Sequence, residues 1–345
     1  MKMETIVLKT NDQNLREVAE AAGELLRNGN VVAIPTETVY GLAAQIFDDN
    51  AVRRIFEVRG RPQDNPLIVH ISDLNMMDGL IQSVPDSAGT LIQHFWPGPL
   101  TIIFKKTEKV SDVVTCGLDS VAIRYPEHPV ARAIIDAAGI PLAAPSANLS
   151  GKPSPTTAAH CVHDLDGLIP MIIDGGECRV GVESTVISVT GEVPTILRPG
   201  IISLEDIKRW VPNAVLSPAI FREVKEGEKV ESPGLKHRHY SPSCEVVLID
   251  SDSEKYIDYL EKNAQEGDVA MCFSEESEVI RIPHVSYGNV SSSEDQAHNV
   301  FAVLRDLDSK GARRILIHAP GHIGKALAVS NRLIRAAGFH VVEIK

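Results

Sequence analysis

A chain of 345 residues, 43% hydrophobic, 23% charged and only 5% aromatic, has the composition of an ordinary globular protein, and its length favours two domains over one. Its formal net charge of −12 argues against a protein built to grip a nucleic-acid backbone, which calls for clustered Lys and Arg. The first residues alternate charged and apolar types without a run long enough for a signal peptide or a membrane span, so a cytoplasmic location and no membrane partner are expected.

In chain order, Val18, Ala22, Leu25 and Leu26 fall on one face of a helix predicted over 14–27, which Asn28-Gly29-Asn30 stops. Val31 to Ile34 reads as a buried strand ended by Pro35, and residues 36–42 as a polar loop at its carboxyl end, where open α/β sheets bind ligands. Asp48 or Asp49 is placed to cap a helix whose Val52, Ile55 and Phe56 face inward. That helix delivers Arg59-Gly60-Arg61-Pro62, and a strand over 67–71 follows, carrying His70. Two guanidiniums around one glycine can hold phosphate or carboxylate oxygens, with Gly60 letting the backbone come close to whatever is held. The same pair also fits a solvated basic helix end, which the macrodipole favours by itself.

A helix from about 86 is broken at Trp96-Pro97-Gly98-Pro99, and strands follow over 100–104 and 121–125. The second holds Arg124 inside an apolar pattern, a costly place for a charge unless it meets a partner or a ligand. A helix over Pro129 to Ala138 stops at Gly139, and a strand of small residues from Pro141 then opens into Pro145-Ser146-Ala147-Asn148-Leu149-Ser150-Gly151. This loop offers directed hydroxyl and amide groups, although an ordinary Asx or Ser turn reads the same way. Beyond lie a helix around 157–162, a strand around 169–173, an antiparallel pair over 183–189 and 195–198 ending at Arg198, and a helix from Ser203 to Trp210.

Residues 213–242 show no sustained period and form the one positively charged stretch, five basic against four acidic residues. They end in Ser232-Pro233-Gly234-Leu235-Lys236-His237-Arg238-His239-Tyr240. A flap over the first domain's cleft and a solvated basic connector are both open readings. From Cys244 onward, strands and helices alternate as in a small doubly wound α/β unit, and His318-Ala319-Pro320-Gly321-His322-Ile323-Gly324 lacks a nucleotide-loop pattern. The domains expected are therefore 1–212, a linker or flap over 213–242, and 243–345. Cys116, Cys161, Cys178, Cys244 and Cys272 are odd in number and never in a C-x-x-C pair, so they read as core fillers rather than disulfide or zinc ligands.

There is no P-loop, dinucleotide fingerprint, H-E-x-x-H or G-x-S-x-G elbow. What remains in the first domain is Arg59, Arg61, Arg124 and Arg198 at strand or helix ends, His70, and polar neutral groups at Thr38, Ser146, Asn148 and Ser184. Cations around neutral hydrogen-bonding groups suit phosphoryl or nucleotidyl transfer, where positioning and electrostatics supply most of the rate.

The combination of Thr36-Glu37-Thr38-Val39-Tyr40-Gly41-Leu42, Arg59-Gly60-Arg61-Pro62 followed by Asn65-Pro66-Leu67, Pro145-Ser146-Ala147-Asn148, and Ser232-Pro233-Gly234 with His239-Tyr240 resembles the long, two-domain threonylcarbamoyl-AMP synthases over essentially the whole chain. The resemblance implies a YrdC-like twisted mixed sheet with helices, followed by a small doubly wound Rossmann-like domain. It implies a nucleotidyltransferase that makes threonylcarbamoyl-AMP and pyrophosphate from L-threonine, bicarbonate and ATP. The product would pass to the tRNA threonylcarbamoyl transferase machinery, which modifies the adenosine next to the anticodon. By the same resemblance Arg59, Arg61, Ser146 and Asn148 are catalytic. Threonine would meet Thr38, His70, Arg124, the backbone of Ala144, and Ser184. The nucleotide would meet Arg61, Asn65, Ser120, Ser146, Ser154, Arg198 and His237. Mg²⁺ would ride on the ATP phosphates, with no protein metal cage.

Two positions depart from the family pattern. Arg59 stands where a lysine is usual, replacing a compact ammonium by a planar fork, and His237 stands where a tyrosine is usual. Two rival readings are a direct RNA-binding module, which the acidic balance opposes, and carbamoyl adenylation as in hydrogenase maturation factors, whose accompanying zinc-finger cysteine spacing is absent here.

Overall fold

The computed structural model describes residues 3–222 and 240–344. Residues 223–239 of the expected linker or flap, His237 among them, lie outside the described residues. The chain forms two compact units. The first takes the described residues up to Arg222 except Gly151–Pro153 and Val180–Val182, and those two short stretches group with everything from Tyr240 on.

The first unit runs β1 (Ile6–Lys9), α1 (Leu15–Arg27), β2 (Val32–Ile34), β3 (Gly41–Gln45), α2 (Asp49–Arg59), β4 (Ile68–His70), α3 (Asp86–Phe95), β5 (Leu100–Lys105), α4 (Asp112–Thr115) and β6 (Ser120–Arg124). It continues through α5 (Pro129–Ala138), β7 (Leu142–Ala143), α6 (Ala158–Leu165), β8 (Met171–Asp174), β9 (Thr185–Ser188), β10 (Thr195–Arg198), α7 (Leu204–Lys208) and β11 (Val215–Leu216). The strands make one mixed sheet in the order β1-β8-β2-β3-β7-β4-β6-β5-β9-β10-β11.

The two faces of this sheet are covered differently. One face buries Val69, Ile102, Ile123 and Ile187 against Ile55 and Phe56 of α2, Leu91 of α3, Val114 of α4 and Cys161 and Leu165 of α6. On the other face, α1 and α5 lay Val18, Ala22 and Leu26 with Ile134 and Ile135 over Val32, Ile34, Ala43, Leu142 and Met171, at the β1-to-β7 end of the sheet. Each Leu or Ile so buried contributes roughly 1.5–3 kcal/mol. Towards the β10 end, the same face carries a separate small cluster of Ile68, Ile103, Ala122 and Val186 with Leu197 against it, every member from a strand.

Helix ends follow the capping rules. Asp48 accepts from the backbone of Asn50 and Ala51 to start α2, and Pro129 opens α5, which closes on Gly139 in the left-handed region. At the end of α2, Gly60 sits at φ +59 with its N–H on Glu57 O while Arg61 N–H reaches Phe56 O. This is a Schellman cap. A Cβ on Gly60 would meet nothing within 4 Å, so within the protein the glycine is required by its dihedral angle.

The second unit runs β12 (Glu245–Asp250), α8 (Ser253–Asn263), β13 (Asp268–Cys272), β14 (His284–Ser286), α9 (Ser293–Ser309), β15 (Arg314–His318), α10 (Ala326–Ala336) and β16 (Val341–Glu343). Its five strands are all parallel, in the order β14-β13-β15-β12-β16. Tyr256 and Leu260 of α8 cover one face over Val247, Ile249 and Leu316. Tyr240 joins this unit, its ring stacked on Phe301 at 5.1 Å and under the Arg332 guanidinium at 5.6 Å. Cys161, Cys178 and Cys272 are buried, Cys116 and Cys244 are half-buried, and all five are outside any disulfide. No helix among the described residues is long and apolar enough to cross a membrane.

Candidate active site

Strand register brings the candidate residues His70, Arg124 and Arg198 together on the strand-lined face at the β10 end of the first sheet. His70 on β4 pairs with Arg124 on β6, Arg124 with Thr101 on β5, Thr101 with Val186 on β9, and Val186 with Arg198 on β10. Residues directly opposite one another project from the same face, so five separate strands contribute to one row. Two residues earlier on β4 and β6, Ile68 and Ala122 supply an apolar floor. Four residues before Arg124, Ser120 marks the other end of β6, about 13 Å away at the usual rise per residue.

At the Arg124 end, His70 Nδ1–H donates to Ile68 O at 3.1 Å, since a carbonyl can only accept. Burial and then the Arg124 charge pull its pKa from 6.5 down to about 3. The ring is therefore neutral at physiological pH, with Nε2 an acceptor. Thr101 and Ser184 share a hydroxyl hydrogen bond of 2.8 Å. Arg198 donates from Nε and Nη2 to Ser184 O at 3.2 and 3.0 Å, and from Nη2 to Ser184 Oγ at 3.2 Å. Gly200 makes this corner possible, because a Cβ there would lie 2.3 Å from Thr185 N. Ala144 lies alongside, its N–H on Ile68 O at 3.0 Å.

The loop before β3 is organised by Thr36. Its hydroxyl donates to Val39 O at 2.6 Å and accepts from the N–H groups of Thr38 and Val39. Thr38 Oγ1 then completes the turn at 2.9 Å. Between the two threonines, Glu37 reaches across to Arg124, with Oε1 2.7 Å from Nη2 and both side chains buried. The costly lone arginine of the sequence thus has an anionic partner. That partner was not singled out in the sequence, because nothing local connects residues so far apart in the chain.

Arg59 is buried, not a solvated helix end: it is 1% exposed. Its Nε donates to Asn148 O at 2.7 Å, and Nη2 to Ser146 Oγ and Asn148 Oδ1 at 3.3 Å each. Arg59, Ser146 and Asn148 are thereby one hydrogen-bonded cluster. The planar fork makes contacts in two directions that a lysine could not duplicate. Ser146 is held by its bridge to Gly41 and Ala147 by a bond to Tyr40 O. Arg61 folds back over its own loop, with Nε and Nη2 on Asn65 O at 3.3 and 3.2 Å and Nη2 also on Pro66 O. Asn65 is buried, and among the described residues its Nδ2 has no hydrogen-bond acceptor. Ser154 donates to the buried Glu183 carboxylate. No cluster of three or more His, Cys, Asp and Glu among the described residues is placed to hold a metal ion.

A family model described as Telomere recombination matches residues 24–200, and one described as Threonylcarbamoyl-AMP synthase, C-terminal domain, matches residues 202–338. The threonylcarbamoyl-AMP synthase of Pyrococcus abyssi is 40% identical over 99% of this chain and 100% of its own length. The chain belongs to the threonylcarbamoyl-AMP synthase family. Within that family, the Bacillus subtilis synthase is 44% identical over 97% of this chain and 96% of its own. The crystal structure of P. abyssi Sua5 complexed with L-threonine superposes with a TM-score of 0.92 at 40% identity, covering 99% of this chain and all of that one. Membership in a family of synthases makes the chain an enzyme, and both parts of the expected fold, the YrdC-like mixed sheet and the Rossmann-like second unit, are present.

Proposed function

We propose that this enzyme is a nucleotidyltransferase that joins L-threonine, bicarbonate and ATP into threonylcarbamoyl-AMP with release of pyrophosphate. The reading is supported above all by the row of His70, Arg124, Thr101 and Arg198 at one end of an apolar floor, with Ser120 at its other end. His70 and Arg124 offer an amino acid its contacts, while Arg198 in the same row and Ser120 at the far end of β6 reach a nucleotide laid along the floor.

Threonine sits at the Arg124 end. Arg124 takes the carboxylate as a forked donor, the neutral His70 offers Nε2 to the side-chain hydroxyl, and Thr38, Ser184 and the backbone of Ala144 complete the pocket. The nucleotide is held by Arg61, Asn65, Ser120, Ser146, Ser154 and Arg198, with His237 beyond the described residues as a further contact. The threonine amine adds to bicarbonate or carbon dioxide, and a carbamate oxygen attacks the α-phosphate in line with departing pyrophosphate. Arg59 and Arg61 stabilise charge on the carbamate and phosphate oxygens. Ser146 and Asn148 fix the Arg59 fork so that this stabilisation needs no reorganisation. Mg²⁺ enters with ATP and neutralises its phosphates. The product serves the tRNA threonylcarbamoyl transferase machinery.

Omitting threonine, bicarbonate and ATP one at a time, while following pyrophosphate and the adenylate, tests the reading. All three should be required, and adenylate formed without threonine would overturn it.

A further inference from the structure

Among the buried charges of the first unit, Glu37 has no place in the scheme above. Its carboxylate is 2% exposed, and its 2.7 Å contact with Arg124 is an ion pair without the alignment of a hydrogen bond. Among the described residues neither Glu37 oxygen accepts a hydrogen bond, and Arg124 Nε and Nη2 donate none. A buried carboxylate ordinarily gathers two or three donors. Here the loop is pinned by Thr36 on either side of Glu37, yet the carboxylate is left with a single misaligned cation. Such a group is shaped for a donor that arrives with the substrate.

Charge narrows the choice. An α-amino acid binds as a zwitterion, its ammonium and carboxylate two bonds apart. A site that offered only Arg124 would bury the ammonium uncompensated, at a cost that burial makes severe. The Glu37–Arg124 pair is neutral before binding and remains neutral with a zwitterion inserted, carboxylate to Arg124 and ammonium to Glu37.

We propose that Glu37 is a catalytic residue of the threonine site, which receives the substrate ammonium and accepts the proton lost when the amine becomes the carbamate nitrogen. The inference rests on the proposed synthase reading. The step balances: threonine ammonium and bicarbonate give carbamate, water and one proton. The nitrogen lone pair forms the N–C bond, a C–O bond breaks to release water, and the proton ends on a Glu37 oxygen. The neighbouring titratable groups serve less well. His70 spends its Nδ1–H on Ile68 O, and burial with the Arg124 charge disfavours a second proton on its ring. Burial lowers the His128 pKa as well, with Glu37, Glu127 and Arg124 acting on it more weakly. Burial raises that of the Cys178 thiol, which also feels Glu37, Arg124 and Glu177 and stays protonated.

The test compares L-threonine with 3-hydroxybutanoate, which lacks the amine, by calorimetry on the full chain with a non-hydrolysable ATP analogue present. Wild type should prefer threonine by roughly 10–100-fold, the worth of a charge-assisted hydrogen bond, and equal affinity would overturn the proposal without any variant. E37Q should bring the two ligands close to parity while leaving affinity for the ATP analogue unchanged. Its threonine- and bicarbonate-dependent pyrophosphate release should fall about 10²–10⁴-fold. That residual rate should climb about tenfold per pH unit as free amine accumulates, and E37D should recover part of the loss. Full activity in E37Q, or a loss with the wild-type pH profile, would overturn the role of Glu37. Wild type that fails to require threonine and bicarbonate would overturn the synthase reading instead.

Discussion

His318 at the carboxyl end of β15 is as buried as His70 at the end of β4, yet the two histidines live in opposite surroundings. His318 has both ring nitrogens engaged, Nδ1 with Glu276 Oε1 at 2.6 Å and Nε2 with Ser251 O at 3.0 Å. Its ring stacks on Tyr256 at 4.4 Å, and its backbone oxygen accepts from Tyr287 at 2.8 Å. Burial pushes the Glu276 carboxyl up, but hydrogen bonds from His318 and Ser253 outweigh it and hold the pKa below the usual carboxylate range. In the first sheet, by contrast, Asn65 Nδ2, both Glu37 oxygens and two Arg124 nitrogens are buried without hydrogen bonds among the described residues. A satisfied buried network holds a fold in one state. An unsatisfied one carries a cost that an arriving hydrogen-bonding group relieves.

The sharpest way to break this comparison is to delete one member from each region. Arg124→Ala leaves Glu37 buried and unpaired, which should cost about 3–5 kcal/mol in denaturant unfolding and abolish threonine-dependent pyrophosphate release. The double variant Glu37→Gln/Arg124→Gln should recover most of that stability and none of the activity. Arg61→Ala should lower activity about 10²–10³-fold, the range for removing a donor that stabilises transition-state charge, with a cooperative unfolding transition retained. Glu276→Gln belongs to the satisfied region, so it should cost about 1–3 kcal/mol of stability and leave the threonine KM unchanged. Arg59→Lys should lower kcat about tenfold, because the ammonium can keep the Asn148 O contact or the Ser146 contact but not both.

A last effect concerns pH. His70 is held neutral in the fold with a pKa of about 3 against 6.5 for the free side chain, so between those values the unfolded chain binds the extra proton. Stability is complete above pH 6.5 and declines as the pH falls towards 3, by up to about 1.4 kcal/mol per unit. His70→Asn should remove that share of the slope in denaturant melts taken between pH 7 and pH 4.

How much of this was legible in the sequence depends on whether the signal was local. The bounds of α5 were legible because Pro129 and Gly139 mark them in the sequence itself, and β10 was readable as the antiparallel partner of the strand before it. β3 was missed because Gly41-Leu42-Ala43-Ala44-Gln45 has little strand propensity of its own and is fixed by pairing with β2 and β7 on its two sides. β1 lies at a sheet edge against β8, which follows it by more than 160 residues. Arg124 announced itself as a charge in an apolar strand, whereas its partner Glu37 lay inside a quoted motif without a stated role. The cluster of Arg59, Ser146 and Asn148 was named by resemblance, but the burial of Arg59 was not, since helix-end arginines are more often solvated.

The strand-lined face decides whether one surface receives both substrates. A crystal structure of the protein with L-threonine and a non-hydrolysable ATP analogue measures it directly. It should place the threonine carboxylate within about 3 Å of Arg124, its nitrogen on Glu37, and the α-phosphate beside Arg61. Threonine bound away from Arg124, or a nucleotide seated outside this face, would contradict it.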